Sequence, residues 1–245
     1  MNDVIKTIEN HRSIRDYLDR TIASEHLDLI IRSAQCAPSS VNGQHVSIII
    51  VKDQERKQKL AELCGNQSYI AEAPVFLVFC QDYYRAHLAS QKEGVEIKIV
   101  DSLEASLIGG IDVGLAMANA INVAESLELG TVPIGGIRNN PSEVIKLLDL
   151  PQYVFPLCGL VIGYPRDHSA PKPRFNKEAV AFDEKYNHDL KTQIELYDET
   201  MKQYMLKRSN GKSNRNWSQT IANYYKNETK RDMLLEMKKQ GFKNN

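Results

Sequence analysis

The chain has 245 residues, of which 42% are hydrophobic and 25% are charged, a composition typical of a globular protein with a sizeable core. Its 31 basic and 31 acidic side chains give a formal net charge of zero, which excludes a general electrostatic attraction to nucleic acid or to membranes. Any site for an anion must therefore be local.

The cysteines and the N-terminus indicate the cellular compartment of the protein. The four cysteines are far apart and show neither a C-x-x-C pair nor the spacing of metal ligands, so we expect reduced thiols that act as small buried hydrophobes: Cys36, Cys64, Cys80 and Cys158. The first ten residues lack the apolar core of a signal peptide, and no uninterrupted apolar run reaches the roughly 18 residues of a spanning helix. These features predict a cytoplasmic protein without a membrane segment or a metal site.

Helices and strands alternate in the first half of the chain. Residues 2–10 are predicted as a short helix, and Ser24 is the predicted N-cap of a second helix whose apolar residues recur at i, i+3, i+4 and i+7. The β-branched run VSIIIV, residues 46–51, predicts a buried strand. A helix closed by Gly65 follows, and the wholly apolar run at 74–80 predicts a strand covered on both faces.

The second half begins with the longest helical candidate, residues 101–128, whose many glycines and alanines predict a central packed helix or a subunit contact. The segment TVPIGG is predicted as a strand that ends in a glycine turn. Asn140 is the predicted cap of the next helix, with Pro141 as its first residue. Residues 154–165 predict another apolar strand, so the elements indicate an α/β or α+β protein.

Four segments outside these elements carry side chains suited to binding a ligand. The first is HRSIR, where a tight turn could direct four polar groups at an anion: His11, Arg12, Ser13 and Arg15. Arginine offers a planar, permanently charged fork that can bind two phosphate oxygens, and serine adds a neutral donor. The alternative is a solvated, charged turn, and the evidence from this segment alone favours that alternative.

The second segment is the loop APSSVNGQH. Its hydroxyl and amide groups could hydrogen-bond a polar heterocycle or a sugar-alcohol chain: Ser39, Ser40, Asn42 and Gln44. Turn formation alone would also explain residues of these types.

The third and fourth segments are IGGIR and KPR. Gly135 and Gly136 at the end of a strand permit the close approach of a planar ligand, although they form neither a G-x-G-x-x-G fingerprint nor a P-loop. The proline of KPR would hold Lys172 and Arg174 at a fixed offset. A plain strand-to-helix turn and a plain surface loop are the respective alternatives.

Taken together, these segments resemble the FMN-dependent nitroreductase family, and within it the NADPH-linked branch of oxygen-insensitive nitroreductases and NADPH–flavin oxidoreductases. The matching pieces are HRSIR, the pattern A-x-S-S-x-x-x-Q, GNQSYIAEAPVF, ESLELGTVPIGGIRNN and PLCGLVIGYP with KPR, in the family's order over residues 11–174. The resemblance implies an α+β fold with a nitroreductase-like central sheet flanked by helices. It further implies one domain over residues 1–245, with a helical C-terminal extension from about 178 to 245.

The resemblance also implies a bound FMN. The phosphate would lie near the first three residues of the basic turn and Arg174, and the pyrimidine edge near Arg15 and Lys172. The implied contacts in chain order are His11, Arg12, Ser13, Arg15, Ser39, Ser40, Asn42, Gln44, Gln67, Tyr69, the backbone of Ile134, Gly135 and Gly136, Lys172 and Arg174. Because the family's site lies at a dimer interface, a homodimer is implied, with some contacts coming from the partner.

The implied activity is ping-pong transfer of a hydride from NADPH through N5 of FMN to a nitroaromatic, a quinone or a flavin. Such chemistry belongs to the cofactor, so no catalytic side chain is expected. The 2′-phosphate of NADPH needs a cation, which the polar loop at 207–217 offers as Arg208 and Lys212; a solvated basic loop is the alternative.

Three other functions are compatible with some of these features. One is a flavin or disulfide reductase whose nitroreductase activity is incidental, and another is a flavin-binding module without catalysis. The third is a nucleic-acid-binding protein that uses the basic loop, against which the zero net charge argues.

Overall fold

The computed structural model describes residues 2–166, 169–227 and 231–244. The chain forms two compact units, the larger comprising Met1–Ser169 with Arg231–Asn245 and the smaller Ala170–Lys230. The helices are α1 (Asp3–Glu9), α2 (Ser24–Gln35), α3 (Gln54–Leu63), α4 (Tyr69–Glu72), α5 (Tyr84–Lys92), α6 (Leu103–Ser126), α7 (Pro141–Leu147), α8 (Lys191–Arg208), α9 (Trp217–Tyr225) and α10 (Met233–Lys239). The strands are β1 (Val46–Val51), β2 (Val75–Asp82), β3 (Gly130–Ile134) and β4 (Val154–Gly163).

The larger unit is built on a four-stranded antiparallel sheet with the strand order β1-β2-β4-β3. Every residue of β2 is buried, as the wholly apolar run at 74–80 predicted. By contrast, β1 is an edge strand in which only Val51 is fully buried, so the expectation of a buried strand at 46–51 was too strong. An edge strand has a neighbour on one side alone, which leaves its residues more accessible.

Helices cover both faces of this sheet, giving three layers. On one face, α3, α4 and α7 bury Leu60, Ile70 and Val144 against the sheet. On the other face, α2 and α6 bury Ile30 and Ala120. The periodic apolar residues of α2 thus face the core, as an amphipathic stripe requires. The α+β class predicted from the sequence is confirmed.

Helix α6 combines a packed face with an exposed apolar face. Gly109 lies so close to β2 that a Cβ there would come within 2.8 Å of the Cβ of Gln81. The opposite face exposes Leu103, Leu107, Ile111 and Leu115. On length and hydropathy this helix could cross a membrane, the one such helix among the described residues. It nevertheless buries the carboxylate of Asp112 and packs on the sheet.

Several helix ends differ from the prediction. Helix α2 begins at Ser24, with Ala23 as its N-cap and no side-chain cap, so Ser24 is not the cap. Asn140 is the N-cap of α7, but its amide donates to the carbonyl of Leu63 at 2.8 Å instead of capping the helix. The carbonyl is available because Leu63 is the last residue of α3. Cys36 is exposed, unlike the buried Cys64 and Cys80.

The smaller unit consists of a loop followed by α8 and α9, and α8 extends further than predicted. Lys207 and Arg208 form its last turn instead of opening the polar loop. Asn210 has a φ of 51°, and the Gly211 N–H donates to the Leu206 carbonyl at 2.8 Å. This is a Schellman cap, in which a left-handed residue ends the helix, and asparagine tolerates that conformation without glycine's flexibility.

An aromatic cluster holds the smaller unit together. The ring of Phe175 lies 4.0 Å from that of Tyr197 and 4.9 Å from that of Trp217, centroid to centroid. Tyr197 lies on α8 and Trp217 opens α9, so the cluster joins both helices to the loop that contains Phe175.

Candidate functional site

The basic turn runs alongside the outer edge of β3. Ser13 forms a parallel bridge with Thr131, and the Ile14 N–H donates to the Thr131 carbonyl at 2.9 Å. His11 Nδ1 lies 2.7 Å from Glu125 Oε1, which also accepts from the Thr131 hydroxyl at 2.8 Å. Glu125 therefore fixes the turn to the end of α6 and to β3.

Arg12 projects into a cleft of about 830 Å³. Its Nη1 donates to the Asn10 carbonyl at 3.0 Å, whereas its Nε is buried without a hydrogen-bond partner. Arg20 and Tyr164 line the same cleft, with the Arg20 guanidinium 3.8 Å above the tyrosine ring. An unpaired, buried guanidinium nitrogen is costly, so the cleft is suited to a ligand that supplies an acceptor.

Arg15 and Tyr69 both influence Tyr17, which brings two predicted site residues to one place. Burial raises the pKa of Tyr17 above its ordinary value, the nearby Tyr69 phenol raises it further, and the charge of Arg15 opposes the shift. The phenol therefore stays protonated and donates to the Ile14 carbonyl at 2.6 Å. The Arg15 side chain itself is exposed.

The glycine turn after β3 meets the loop that contains Gln67 and Tyr69. A Cβ on Gly136 would come within 2.5 Å of the Cys64 carbonyl oxygen and 2.6 Å of Gln67 Nε2. Gln67 Nε2 donates to that same carbonyl at 2.6 Å, and the Tyr69 hydroxyl donates to Gln67 Oε1. The structure thus brings together Gln67, Tyr69 and Gly136, three residues that the sequence motifs named.

Ile134 is 1% exposed, so its side chain belongs to the core and only its backbone faces the turn. Arg138, which no sequence motif marked as a site residue, fastens this turn to β4 by donating to the Leu157 carbonyl. It also lies close to Cys158. Burial raises the pKa of the Cys158 thiol, and the charge of Arg138 opposes this shift. Its placement depends on the β3–β4 pairing and leaves no local pattern in the sequence.

The loop at 39–44 has an unusual backbone. Val41, Asn42 and Gln44 have φ values of 46°, 56° and 51°. For residues other than glycine, the left-handed conformation costs about 1–2 kcal/mol each. The Gln44 N–H donates to Ser39 Oγ at 3.1 Å, which closes the loop on itself.

Ser40, Asn42 and Gln44 make no side-chain hydrogen bond within the part of the chain that the structure describes. The loop thus presents one hydroxyl and two amides outward. Its backbone is strained by the positive φ values, and such strain is common in loops at functional sites.

The structure does not bring this loop to the basic turn within the chain. The loop leads into β1 at one edge of the sheet, and the turn lies outside β3 at the other edge. Four strand spacings separate them, or about 19 Å. No hydrogen bond joins residues 39–44 to residues 11–15 among the residues described.

Lys172 and Arg174 lie in the smaller unit and are exposed. The Pro173 carbonyl between them accepts from the Tyr197 hydroxyl at 2.8 Å, and Arg174 Nη1 donates to the Lys172 carbonyl at 3.2 Å. Burial raises the pKa of Tyr197, and the Arg174 charge opposes this. The aromatic cluster thus anchors the segment that carries the two cations.

Arg208 and Lys212 are also exposed in the smaller unit. Arg208 ends α8, with Nη1 3.3 Å from the Tyr204 hydroxyl, and Lys212 lies in the following turn. Two exposed positive charges near one helix end would attract an anionic group. Over the described residues, no three His, Cys, Asp or Glu side chains cluster as metal ligands would.

The larger unit therefore combines a three-layer α+β core with a basic turn along one sheet edge and a glycine turn at the end of β3. The chain belongs to the nitroreductase family: the family model matches residues 8–164, and the model of the family's C-terminal domain matches residues 172–245. The resemblance read from the sequence motifs is confirmed.

Similar proteins cover the chain from end to end. The FMN reductase [NAD(P)H] of Bacillus subtilis strain 168 is 53% identical over 246 residues, which cover 99% of each chain. The solved structure of B. megaterium NfrA2 has a TM-score of 0.98 at 53% identity, with 100% of both chains covered. The NADPH:FMN oxidoreductase from Vibrio harveyi, solved in complex with NAD+, has a TM-score of 0.90 at 34% identity over 100% of both chains.

Proposed function

We propose that the protein is an FMN-dependent NADPH oxidoreductase that reduces small flat acceptors such as nitroaromatics, quinones or free flavins. The observation that carries this proposal is the full-length likeness to a relative named FMN reductase [NAD(P)H], at 53% identity over 99% of each chain. The chain would act as one nitroreductase-like domain, with a helical C-terminal extension from about residue 178.

The residues described above fit an FMN. The unpaired Nε of Arg12 offers a donor to a phosphate, and His11 and Ser13 lie beside it in the chain. The free side chains of the 39–44 loop offer a hydroxyl and two amides to the ribityl chain and ring. The turn at Gly135 and Gly136 leaves the backbone open to a planar ring. For Lys172 and Arg174, which lie in the smaller unit, contacts with the pyrimidine edge and the phosphate stay a prediction from the sequence motifs.

When bound, FMN would supply the redox chemistry for a ping-pong transfer of a hydride from NADPH to the acceptor. The positive charge of Arg15 would favour the electron-rich form of the cofactor and so raise its reduction potential. The remaining side chains would bind and orient, because this chemistry needs no protein nucleophile or acid–base pair.

NADPH would be selected through its 2′-phosphate. Arg208 and Lys212 supply exposed positive charge in the smaller unit, and Arg208 is held at a helix end by Tyr204. An arginine is suited to this task because its fork can engage two phosphate oxygens.

A homodimer would complete the site. The exposed stripe on α6 is a contiguous row of apolar side chains of the kind that subunit contacts cover: Leu103, Leu107, Ile111 and Leu115. Gly110 and Gly114 on the same helix have open space around them, which would permit close approach of a partner. The sheet separates the 39–44 loop from the basic turn, so a partner's loop could reach the turn. We place this dimer in the cytoplasm, without a nucleic-acid or membrane partner.

Two readings compete within this proposal. A flavin or disulfide reductase with incidental nitroreductase activity would use the same residues, and the names of the relatives favour free flavin among the acceptors. A flavin-binding module without catalysis would bind FMN, but NADPH would not reduce the bound flavin.

Anaerobic titration of the purified, FMN-loaded protein tests the proposal. NADPH should bleach the flavin absorbance, and a nitroaromatic, quinone or free flavin should restore it. Failure to bind FMN would contradict the proposal, whereas bound flavin that NADPH does not bleach would support the non-catalytic module. Steady-state rates with nitroaromatics, quinones, flavins and disulfides would then identify the acceptor class.

A further inference from the structure

The carboxylate of Asp112, in the middle of α6, forms hydrogen bonds at both ends of the 39–44 loop. Asp112 is 2% exposed. Its Oδ1 accepts from the Ser40 N–H at 3.2 Å, and its Oδ2 lies 2.9 Å from His45 Nδ1, which donates to it. A buried carboxylate is stable only when donors surround it, and here the loop supplies both.

His45 packs directly beneath the loop. The residue is 7% exposed, and its ring stacks on the ring of Tyr83, with centroids 4.4 Å apart. The Tyr83 hydroxyl in turn donates to the carbonyl of Ala105, also on α6, at 2.9 Å. A Cβ at Gly43 would come within 2.2 Å of His45 Cε1. The imidazole held by Asp112 therefore determines where the loop turns.

The loop needs such support because its own contacts do not explain its conformation. Val41 is 93% exposed, so no packing holds this β-branched residue at a φ of 46°. Left-handed β-branched residues persist only where their surroundings fix the backbone. The far end of the loop has a second support in Arg85, whose Nη2 donates to the carbonyls of Gln44 at 2.6 Å and Val46 at 2.8 Å.

We propose that Asp112 is a positioning residue for flavin binding. By holding the Ser40 N–H and the His45 ring, it keeps the 39–44 loop in the left-handed conformation that presents Ser40, Asn42 and Gln44 to the ligand. The inference rests on the proposed function, since it names the residue that prepares one wall of that site. A loop already in its binding conformation loses less conformational entropy when the ligand arrives, so affinity is higher.

The test compares FMN dissociation constants of apo-proteins, measured by quenching of flavin fluorescence. D112A removes both bonds and should raise the Kd about tenfold or more, whereas D112N keeps an acceptor for the Ser40 N–H and should raise it by only about threefold.

Asn119→Ala is the matched control. Asn119 lies on the same helix and donates to the Ser33 carbonyl of α2 at 3.1 Å, away from the loop. N119A should lower the unfolding midpoint but leave the Kd within about twofold of wild type. An equal loss of FMN affinity in N119A and D112A, or no loss in D112A, would overturn the inference.

A second substitution, V41N, made in the Asp112 variants, distinguishes loop strain from a general loss of structure. Asparagine adopts the left-handed conformation more readily than valine, and the Val41 side chain packs on nothing that the change would lose. V41N should therefore lower the Kd of D112A or D112N several-fold, yet change the wild-type Kd by less than about twofold. Identical Kd values with and without V41N in the Asp112 variants would reject the strain argument. If wild-type protein itself does not bind FMN, the proposed function fails; if it binds and D112A binds equally well, only the role of Asp112 fails.

Discussion

Gly136 lies directly against Gln67, and a single methyl group at position 136 would come within 2.6 Å of the glutamine amide nitrogen and 2.5 Å of the Cys64 carbonyl oxygen. This contact joins the glycine turn after β3 to the loop at the end of α3. Both are parts of the proposed flavin site, so the close approach links the stability of the fold to the binding of the cofactor.

Gly136→Ala should therefore lower the free energy of unfolding by about 1–3 kcal/mol, because a backbone carbonyl cannot move aside as a flexible side chain can. FMN affinity should fall as well. Gly135→Ala is the matched control, since its Cβ would meet only Arg138 Nη2 at 3.5 Å, an ordinary contact. Urea denaturation of both variants measures the difference, and equal destabilisation would contradict this account of the turn.

Arg12→Ala and Arg174→Ala should each weaken FMN binding by about 1.5–3 kcal/mol, the usual contribution of a hydrogen bond to a charged group. Arg32→Ala provides the control for lost positive charge, because Arg32 is exposed on α2. Equilibrium dialysis of the apo-proteins measures the affinities. If both arginine variants retained the affinity of R32A, the phosphate would have to bind elsewhere.

Arg208→Ala should raise the KM for NADPH about tenfold, with little effect on the KM for NADH, since only NADPH carries the 2′-phosphate. Lys207→Ala removes a neighbouring exposed charge from the same helix turn and serves as the control. Steady-state kinetics with both nucleotides give the comparison. A parallel rise in the two KM values would remove Arg208 from nucleotide selection.

Alkaline pH should destabilise the protein through Cys64, because burial raises the pKa of its thiol to about 12. Below pH about 8.5 the thiol is protonated in both the folded and unfolded states. As the pH rises further, the unfolded state loses the proton and the folded state keeps it, so stability falls by up to about 1.4 kcal/mol per pH unit.

Cys64→Ala should show a shallower loss of stability between pH 8 and about pH 10 than wild type in urea titrations. Cys36→Ala, at the exposed thiol, controls for the removal of a cysteine. Slopes that are the same in C64A and wild type would show that Cys64 does not contribute to the alkaline transition.

Much of the fold follows from local patterns in the sequence. The apolar stripe of α2 and the uninterrupted apolar run of β2 were sufficient to predict a helix with one buried side and a strand covered on both faces. Helix α5 was not predicted, because its polar residues carry no strong periodicity. The strand order was also beyond reach, since it depends on pairings between residues far apart in the chain.

The residues of the candidate site stay predictions, although the structure brings some of them together. The motifs identified Gln67, Tyr69 and Gly136, and the structure brings these three together. The contacts of Asp112 were not predictable, because its partners Ser40 and His45 are far from it in sequence. Nor does valine at position 41 indicate a left-handed turn, since valine rarely adopts one.

The aromatic cluster of the smaller unit has a practical consequence for spectroscopy. Trp217 is the single tryptophan of the chain, and its indole lies 4.9 Å from the ring of Phe175, the residue that follows Arg174. Intrinsic emission excited at the red edge of the ultraviolet band therefore comes from the smaller unit alone, while circular dichroism in the amide region averages both units. Melting curves that differ between the two signals would show that the units unfold separately, so two optical probes test their cooperativity without any label.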